Sequence, residues 1–108
     1  MVKVVYIYNL KSGVDPKEFE DYYFNERMAQ VMKKVPNLEK FCFSIATGDE
    51  PSPYRYMAEY FYKDLKTAKE TLNSEYFKDV HGYIAGKLVD MQVMFFETNK
   101  WRPSEWGE

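Results

Sequence analysis

The sequence predicts an α+β domain of ferredoxin-like topology, a four-stranded antiparallel sheet with two helices on one face. Three observations lead to this prediction. The chain has 108 residues, enough for one hydrophobic core and too few for two. Four segments are rich in β-branched and aromatic residues, and two others carry apolar residues at helical spacing. Their order is β-α-β-β-α-β, which we expect to form a single domain over residues 1–98, followed by a C-terminal tail over residues 99–108.

The strands are separated by segments with turn chemistry. The clearest break is a loop over residues 47–53, in which Gly, Asp, Ser and Pro all favour turns. The strands themselves are predicted from their β-branched and aromatic content at residues 2–9, 38–46, 54–62 and 89–98.

The first helix has a clear start signal. Asp15 is the predicted N-cap, Pro16 the first helical residue and Glu18 the capping-box residue. The helix is expected to stop at Pro36. Apolar residues recur at three- and four-residue steps and predict one apolar stripe, formed by Phe19, Tyr22, Tyr23, Met28, Val31, Met32 and Val35.

The second helix is predicted in two parts. Asp64 is its expected N-cap, and its first apolar face includes Leu65, Ala68 and Leu72. Asn73 and Ser74 are expected to interrupt it. Ser74 then caps a continuation that ends near Gly86 and carries Tyr76, Phe77, Val80, Tyr83 and Ile84.

Both faces of the predicted sheet are apolar. Aromatic residues make up 19% of the chain, more than a small monomer core usually holds. In the third strand tyrosines occupy one parity, while Met57 and Phe61 occupy the other. Two helices cover only one face, so the other would expose a large apolar patch. We therefore expect a homodimer through this sheet face. The alternative is a monomer whose tyrosines are half-exposed.

Composition argues against several partners. With 15 basic and 17 acidic residues, the net charge of −2 gives no electrostatic footprint for nucleic acid or for a membrane surface. An RNA-recognition motif shares the element order, but its third strand needs a glycine-aromatic pattern that is missing here. The chain has neither a membrane-length apolar stretch nor a signal-peptide pattern. Cys42 is the only cysteine, which fits a reducing, cytoplasmic location.

Four segments carry a family resemblance: residues 4–8, which lead to a Gly-Val-Asp-Pro loop, and residues 18–23, 31–38 and 58–65. Together they resemble the EthD family, named for an accessory protein of ethyl tert-butyl ether degradation, within the dimeric α/β-barrel superfamily. The resemblance extends from residue 2 to about residue 98. It implies a dimer whose two sheets form a barrel, with a ligand cavity between sheet and helices in each subunit.

One position departs from the family pattern. Many EthD members have a histidine on the first helix, within a His-x-Pro-Leu-Val segment. In this sequence Arg27 stands at the histidine position and Ala29 at the proline position. An arginine does not exchange protons as a histidine does, so Arg27 is expected to bind an anion or to orient a carbonyl group. The alternative is that Arg27 and Glu26 lie on a solvated helix face.

The other candidate site residues each have a structural alternative. His81 is a candidate general base or haem ligand, or else a partly exposed helix histidine. Glu59, in the third strand, is either a half-buried acid or base, or a structural carboxylate. A tyrosine set could line a pocket for a flat apolar or phenolic ligand, or could only form core and interface: Tyr6, Tyr8, Tyr22, Tyr23, Tyr56 and Tyr60.

Two functions remain open at this level, beside the alternative of a purely structural stress-type protein without a ligand. The first is an accessory protein that binds a small hydrophobic or aromatic molecule for a degradative pathway. The second is a cofactor-independent monooxygenase or isomerase that acts on an aromatic or lactone-like compound. Neither requires a cofactor. No metal is expected, because no second histidine or usable cysteine offers a chelating spacing.

Overall fold

The computed structural model describes residues 1–49, 51–74 and 86–98. The elements, in chain order, are strand β1 (Val2–Leu10), helix α1 (Pro16–Tyr22), a π-helical turn (Tyr23–Arg27), helix α2 (Met28–Lys34), strands β2 (Lys40–Ile45) and β3 (Tyr56–Tyr62), helix α3 (Leu65–Leu72) and strand β4 (Leu88–Glu97). The strands form one sheet in the order β2-β3-β1-β4, with every neighbouring pair antiparallel. The predicted fold class is confirmed.

The pairing register decides which side chains face the helices. Every second residue of β3, starting at Tyr56, is buried, and the residues between them are half-buried. Tyr56 pairs with Tyr8, and Tyr60 pairs with Val4, so the buried parity continues across β1. These side chains and those of the helices form one core, which includes Val4, Tyr6, Tyr8, Phe19, Tyr23, Val31, Tyr56, Tyr60, Tyr62 and Ala68.

Strand β4 lies at the edge of the sheet and is the least covered strand. It pairs with β1 from Val2 to Ile7, and the register then shifts before Asn9. Asp90 has a φ of 59° near this irregularity, as bulged strands often show. Large apolar side chains of β4 stay exposed at 38–46%: Val89, Met91, Val93, Phe95 and Phe96. An edge strand of this composition is a potential pairing surface.

The predicted helix caps at Asp15 and Asp64 are confirmed. The Asp15 carboxylate accepts a hydrogen bond of 3.0 Å from the backbone N–H of Lys17, ahead of Pro16. The Asp64 carboxylate accepts one of 2.7 Å from the backbone N–H of Thr67. Each satisfies an amide that the first turn of a helix leaves without a partner.

The first helical stretch contains a π-helical turn. The backbone N–H of Met28 bonds to the carbonyl of Tyr23, five residues earlier. In a regular α-helix, residues four apart drift by about 40° per step around the axis. The wider turn absorbs this drift, so a series at uniform four-residue spacing stays on the core side: Phe19, Tyr23, Arg27, Val31 and Val35, all at most 5% exposed.

This turn corrects the predicted stripe. Met32 was expected to be apolar core but is 53% exposed. Arg27 takes part in the buried face instead. The predicted continuation of the second helix, the tail over residues 99–108 and His81 lie outside the described residues. Among the residues that are described, no helix is long and apolar enough to cross a membrane.

Deleting Asn25, an exposed residue of the π-helical turn, tests this geometry. The deletion removes the one extra residue that the wide turn accommodates, so the helix becomes regular while Val31 and Val35 keep their orientation toward the sheet. We expect the free energy of unfolding in urea to change by less than about 1 kcal/mol. Deleting both Asn25 and the exposed Glu26 removes one residue more than the wide turn can release, so the residues that follow rotate by about 100° and two buried valines lose their contacts. The free energy of unfolding of this double deletion should fall by on the order of 3 kcal/mol. Equal stability of the two deletion variants would contradict a role for the turn.

Candidate functional site

The face of the sheet under the helices holds a buried arginine surrounded by tyrosines. Arg27 is 1% exposed and Tyr23 is 0% exposed, and both lie on the π-helical turn. Tyr60, from the middle of β3, and Tyr8, near the end of β1, are each 2% exposed. We call these four residues the arginine–tyrosine cluster. It exists because the π-helical turn directs Arg27 and Tyr23 inward, while strand alternation directs Tyr8 and Tyr60 toward them.

Hydrogen bonds and charge link this cluster. The Tyr23 hydroxyl is hydrogen-bonded to Arg27, and the Tyr60 hydroxyl is hydrogen-bonded to both Tyr23 and Arg27. The positive charge of Arg27 also acts on Tyr8. A guanidinium offers five N–H donors and no acceptor. The cluster as a whole is therefore rich in donors and positively charged.

Burial keeps the tyrosines protonated. It raises the pKa of Tyr8, Tyr23 and Tyr60 well above the ordinary value, and the Arg27 charge only partly opposes this rise. Burial also raises the pKa of Tyr6. At neutral pH these hydroxyls can donate hydrogen bonds but cannot act as general bases. The cluster can therefore stabilise a negatively charged oxygen, while removal of a proton would require another group.

Aromatic rings enclose the cluster. Tyr23 stacks on Phe43 with 3.8 Å between ring centroids, and Tyr60 lies 4.8 Å from Phe41. Phe19 lies 5.7 Å from Tyr23. Phe19 and Tyr22 also line an open surface cleft of about 250 Å³, which none of the four cluster residues lines. Flat, apolar walls around a few convergent polar groups are typical of sites for small aromatic molecules.

A second polar group lies at the rim of this aromatic layer. The Tyr56 hydroxyl donates a hydrogen bond of 2.6 Å to the Glu20 carboxylate. Arg55 donates two hydrogen bonds, one of 3.1 Å from Nη2 to Glu20 Oε2 and one of 2.9 Å from Nε to the Tyr56 hydroxyl. The Tyr56 ring stacks on Tyr8 at 5.7 Å. This rim group ties α1 to the start of β3, next to the buried cluster.

The rim group changes the acidity of its members. Burial, together with the hydrogen bond to Glu20, raises the pKa of Tyr56 to about 12. The same hydrogen bond from Tyr56, with a smaller contribution from Arg55, lowers the pKa of Glu20. The predicted tyrosine set contained Tyr56, but its partners Glu20 and Arg55 were missed, because they are separated from each other by 35 residues in sequence.

The structure brings most of the predicted ligand-binding residues together and separates one. Tyr6, Tyr8, Tyr23, Tyr60 and Arg27 are all buried between sheet and helices. The alternative of a solvated face for Arg27 is thereby excluded, whereas Glu26 is exposed. Their role in binding stays a prediction.

Glu59 lies on the opposite face of the sheet. Its carboxylate forms an ion pair of 3.0 Å with Lys3. It therefore does not share a site with the tyrosines. Within residues 1–49, 51–74 and 86–98, no group of three or more His, Cys, Asp or Glu side chains could hold a metal ion.

Comparison with known families gives a match over almost the whole chain. The model of the family described as "REDY-like protein HapK" matches residues 2–100. The chain belongs to the HapK family. Among curated proteins, none is similar enough in sequence to count as a match.

Solved structures share the fold of this HapK-family chain. At3g17210 from Arabidopsis thaliana has a TM-score of 0.79 at 16% identity, over 94% of this chain and 98% of the other. An EthD family protein from Bacillus halodurans has a TM-score of 0.73 at 25% identity, over 92% and 99%. HapK from Hahella chejuensis has a TM-score of 0.68 at 14% identity, over 94% and 97%. The predicted EthD resemblance is thus supported by one similar structure, whereas the family that matches is HapK.

Other proteins of this fold differ in their described activities. One is a hydroxynitrile lyase from Passiflora edulis, with a TM-score of 0.75 at 10% identity. Another is SnoaB, a cofactor-independent oxygenase from Streptomyces nogalater, with a TM-score of 0.68 at 16% identity. A protein from Thermobifida fusca, with a TM-score of 0.73 at 13% identity, is described as dimeric and ferredoxin-like. At these identities the likeness concerns the fold alone.

The rim group predicts how the stability of this HapK-family protein depends on pH. A carboxyl group whose pKa is lowered in the folded state stabilises the fold above its unfolded pKa, and this contribution is lost as the pH falls through the folded value. Glu20→Gln removes the charge, so we expect a lower melting temperature at neutral pH and a smaller further loss between neutral pH and about pH 3.

The exposed Glu18, on the same helix, supplies the matched control. Glu18→Gln should leave the melting temperature and its acid dependence close to those of the wild type. If Glu20→Gln followed the same curve as Glu18→Gln, the rim group would make no contribution to stability.

Proposed function

We propose that this HapK-family protein is a homodimeric binding protein for a small aromatic molecule that carries an anionic or carbonyl oxygen, with Arg27 as the group that holds this oxygen. One observation carries the proposal: a guanidinium that is 1% exposed, next to the hydroxyls of Tyr23 and Tyr60. Burying a positive charge is costly. A charge retained in the core despite this cost favours a role in recognition.

The chemistry of the surroundings supports the ligand class. The tyrosine hydroxyls stay protonated and add donors beside the guanidinium, which suits a phenolate, an enolate or a polarised carbonyl. The stacked rings of Tyr23 and Phe43 suit a flat ring system. The similarity to an EthD family protein supports an accessory role in a degradative pathway.

The proposed homodimer uses the sheet face that points away from the helices. That face carries Ile7, Met57, Phe61, Met94 and Phe96, none of them covered by a helix within the described residues. Phe96 is 46% exposed. Dimeric proteins of the same fold support pairing between copies. A reducing cytoplasm, expected from the single cysteine, fits this soluble binding role.

A titration with 4-nitrophenol tests the role of Arg27. Its phenolate absorbs visible light, so binding and ionisation are read from the same spectrum. We expect the wild type to favour the phenolate and to lower the apparent pKa of the bound phenol. Arg27→Met should abolish this preference and weaken phenolate binding about tenfold or more. Arg27→Lys keeps the positive charge but loses the planar, five-donor geometry of the guanidinium, so this variant should retain part of the preference for the phenolate.

Two controls keep this result interpretable. Lys34→Met removes an exposed positive charge from α2 and should leave binding unchanged. The melting temperature of Arg27→Met is measured beside binding, because two effects oppose each other: removal of a buried charge stabilises the fold, whereas the hydroxyls of Tyr23 and Tyr60 lose a hydrogen-bond partner. Unchanged phenolate binding by a folded Arg27→Met variant would overturn the proposed role of Arg27.

A second candidate function is a cofactor-independent enzyme. The similarity in fold to SnoaB and to a hydroxynitrile lyase favours it. In that case the arginine–tyrosine cluster would stabilise a developing oxyanion, and a base from elsewhere would remove the proton, because the pKa of each clustered tyrosine is raised. His81 is the predicted base.

This candidate is tested by turnover. Oxygen uptake with phenols, and ring opening of lactones, are measured for the purified protein. The enzyme reading expects turnover in the wild type and a loss of at least about 100-fold in His81→Ala, the range typical of a general base. If the protein binds these compounds but does not convert them, the enzyme hypothesis is wrong and the accessory binding role remains.

A further inference from the structure

The sheet face that points away from the helices has an ordered pattern. Cross-strand pairing arranges its side chains in rows that run across all four strands. One row alternates lysine and phenylalanine, and the next has a glutamate beside three less polar residues. In strand order the two rows are Lys40, Phe61, Lys3, Phe96 and Cys42, Glu59, Val5, Met94.

An ion pair joins the two rows at the centre of the face. Lys3 Nζ lies 3.0 Å from Glu59 Oε2, on the two central strands β1 and β3. The exposed fractions of the two side chains are only 31% and 14%. Lys3 Nζ also lies 5.8 Å from the ring centroid of Phe61 and 5.9 Å from that of Phe96. The ammonium group is thus held by one carboxylate and two aromatic faces.

An apolar residue lies beside the pair on the same face of the sheet. Val5, the direct cross-strand neighbour of Glu59, is only 4% exposed although it lies on the face away from the helices. The pair is therefore already partly desolvated within a single chain. Such an arrangement resembles the centre of an interface more than an ordinary surface ion pair, which is solvated on most sides.

We infer that the Lys3–Glu59 pair forms the electrostatic centre of the surface through which two copies of this chain associate. This inference rests on the proposed homodimer and names the residues that decide it. Glu59 neutralises Lys3, so the centre of the face offers no net charge to an anionic polymer such as nucleic acid. Lys40, exposed on the edge strand β2 with its Nζ 5.3 Å from the Phe61 ring centroid, adds a positive charge at the edge of the face and not at its centre. The centre suits a second, identical face, because a neutral pair can be buried against its own copy without leaving an uncompensated charge.

The pair also determines which copies associate. In a two-fold dimer each protomer contributes one pair, and both become desolvated together. Removing one partner would leave two buried charges per dimer without compensation, which is far more costly than removing both partners. Lys3 and Glu59 therefore act as specificity residues for self-association, while the surrounding apolar side chains supply most of the buried area.

Sedimentation equilibrium tests the inference. The wild type should have twice the chain mass of 12.9 kDa. Lys3→Met and Glu59→Gln should each raise the dimer dissociation constant about 100-fold or more, and the double variant Lys3→Met/Glu59→Gln should return to within about tenfold of the wild type. The charge exchange Lys3→Glu/Glu59→Lys keeps a pair and should still form dimers.

The exposed pair Lys66–Glu70 on α3, with 4.0 Å between the charged atoms, is the matched control. Lys66→Met/Glu70→Gln and its single variants should leave the dissociation constant unchanged. Circular dichroism separates loss of dimer from loss of fold. A single variant that stays folded but is monomeric supports the inference, whereas one that unfolds at every protein concentration while the double variant folds would assign the pair to the stability of the single chain and contradict the inference.

The outcomes distinguish the two proposals. A monomeric wild type would overturn the proposed homodimer. A dimeric wild type whose single variants at Lys3 and Glu59 stay within about threefold of the Lys66–Glu70 controls would overturn the inference and leave the homodimer standing.

Discussion

A guanidinium enclosed between a sheet and its helices has to be solvated by protein groups instead of water. Arg27 imposes this requirement on the core, and the hydroxyls of Tyr23 and Tyr60 meet part of it, whereas Nε and Nη2 of Arg27 are buried without a hydrogen-bond partner in the part of the chain that the structure describes. The π-helical turn is what directs the arginine inward, and strand alternation is what directs Tyr60 toward it. Much of the unusual tyrosine content of the core can be understood as the polar lining that a buried positive charge needs within an otherwise apolar layer.

Both faces of the sheet hold a charged side chain among aromatic rings, but the partners of that charge differ. On the helix side, aromatic rings pack on one another and hold their polar atoms toward Arg27 and the rim group. On the other side, Lys3 lies between phenylalanine rings and pairs with Glu59. We propose that the face under the helices binds a small ligand and that the opposite face binds a second copy of the chain.

Membership of the HapK family, together with a fold shared by an oxygenase and a hydroxynitrile lyase, shows how little this architecture constrains chemistry. The distinguishing feature of this chain is the set of side chains beneath the helices. Protonated tyrosines around an arginine favour binding or stabilising an oxygen anion, and any proton transfer would need a further residue. This is why an accessory binding role is the first proposal and catalysis the second.

The sequence by itself determined the fold class, the element order and both helix caps, because hydrophobic periodicity and the hydrogen-bonding of Asp15 and Asp64 act over a few neighbouring residues. It also identified Arg27 and the tyrosines as candidates. A uniform four-residue spacing from Phe19 to Val35 was a readable signal of a widened helix, and it was missed in favour of a regular stripe containing Met32.

Only the tertiary structure decided which strand parity faces the helices, that Arg27 is buried, and that Glu59 lies across the sheet from the tyrosines. The Glu20–Arg55–Tyr56 and Lys3–Glu59 contacts join residues 35 to 56 positions apart, and such contacts depend on strand register, which short-range patterns do not encode.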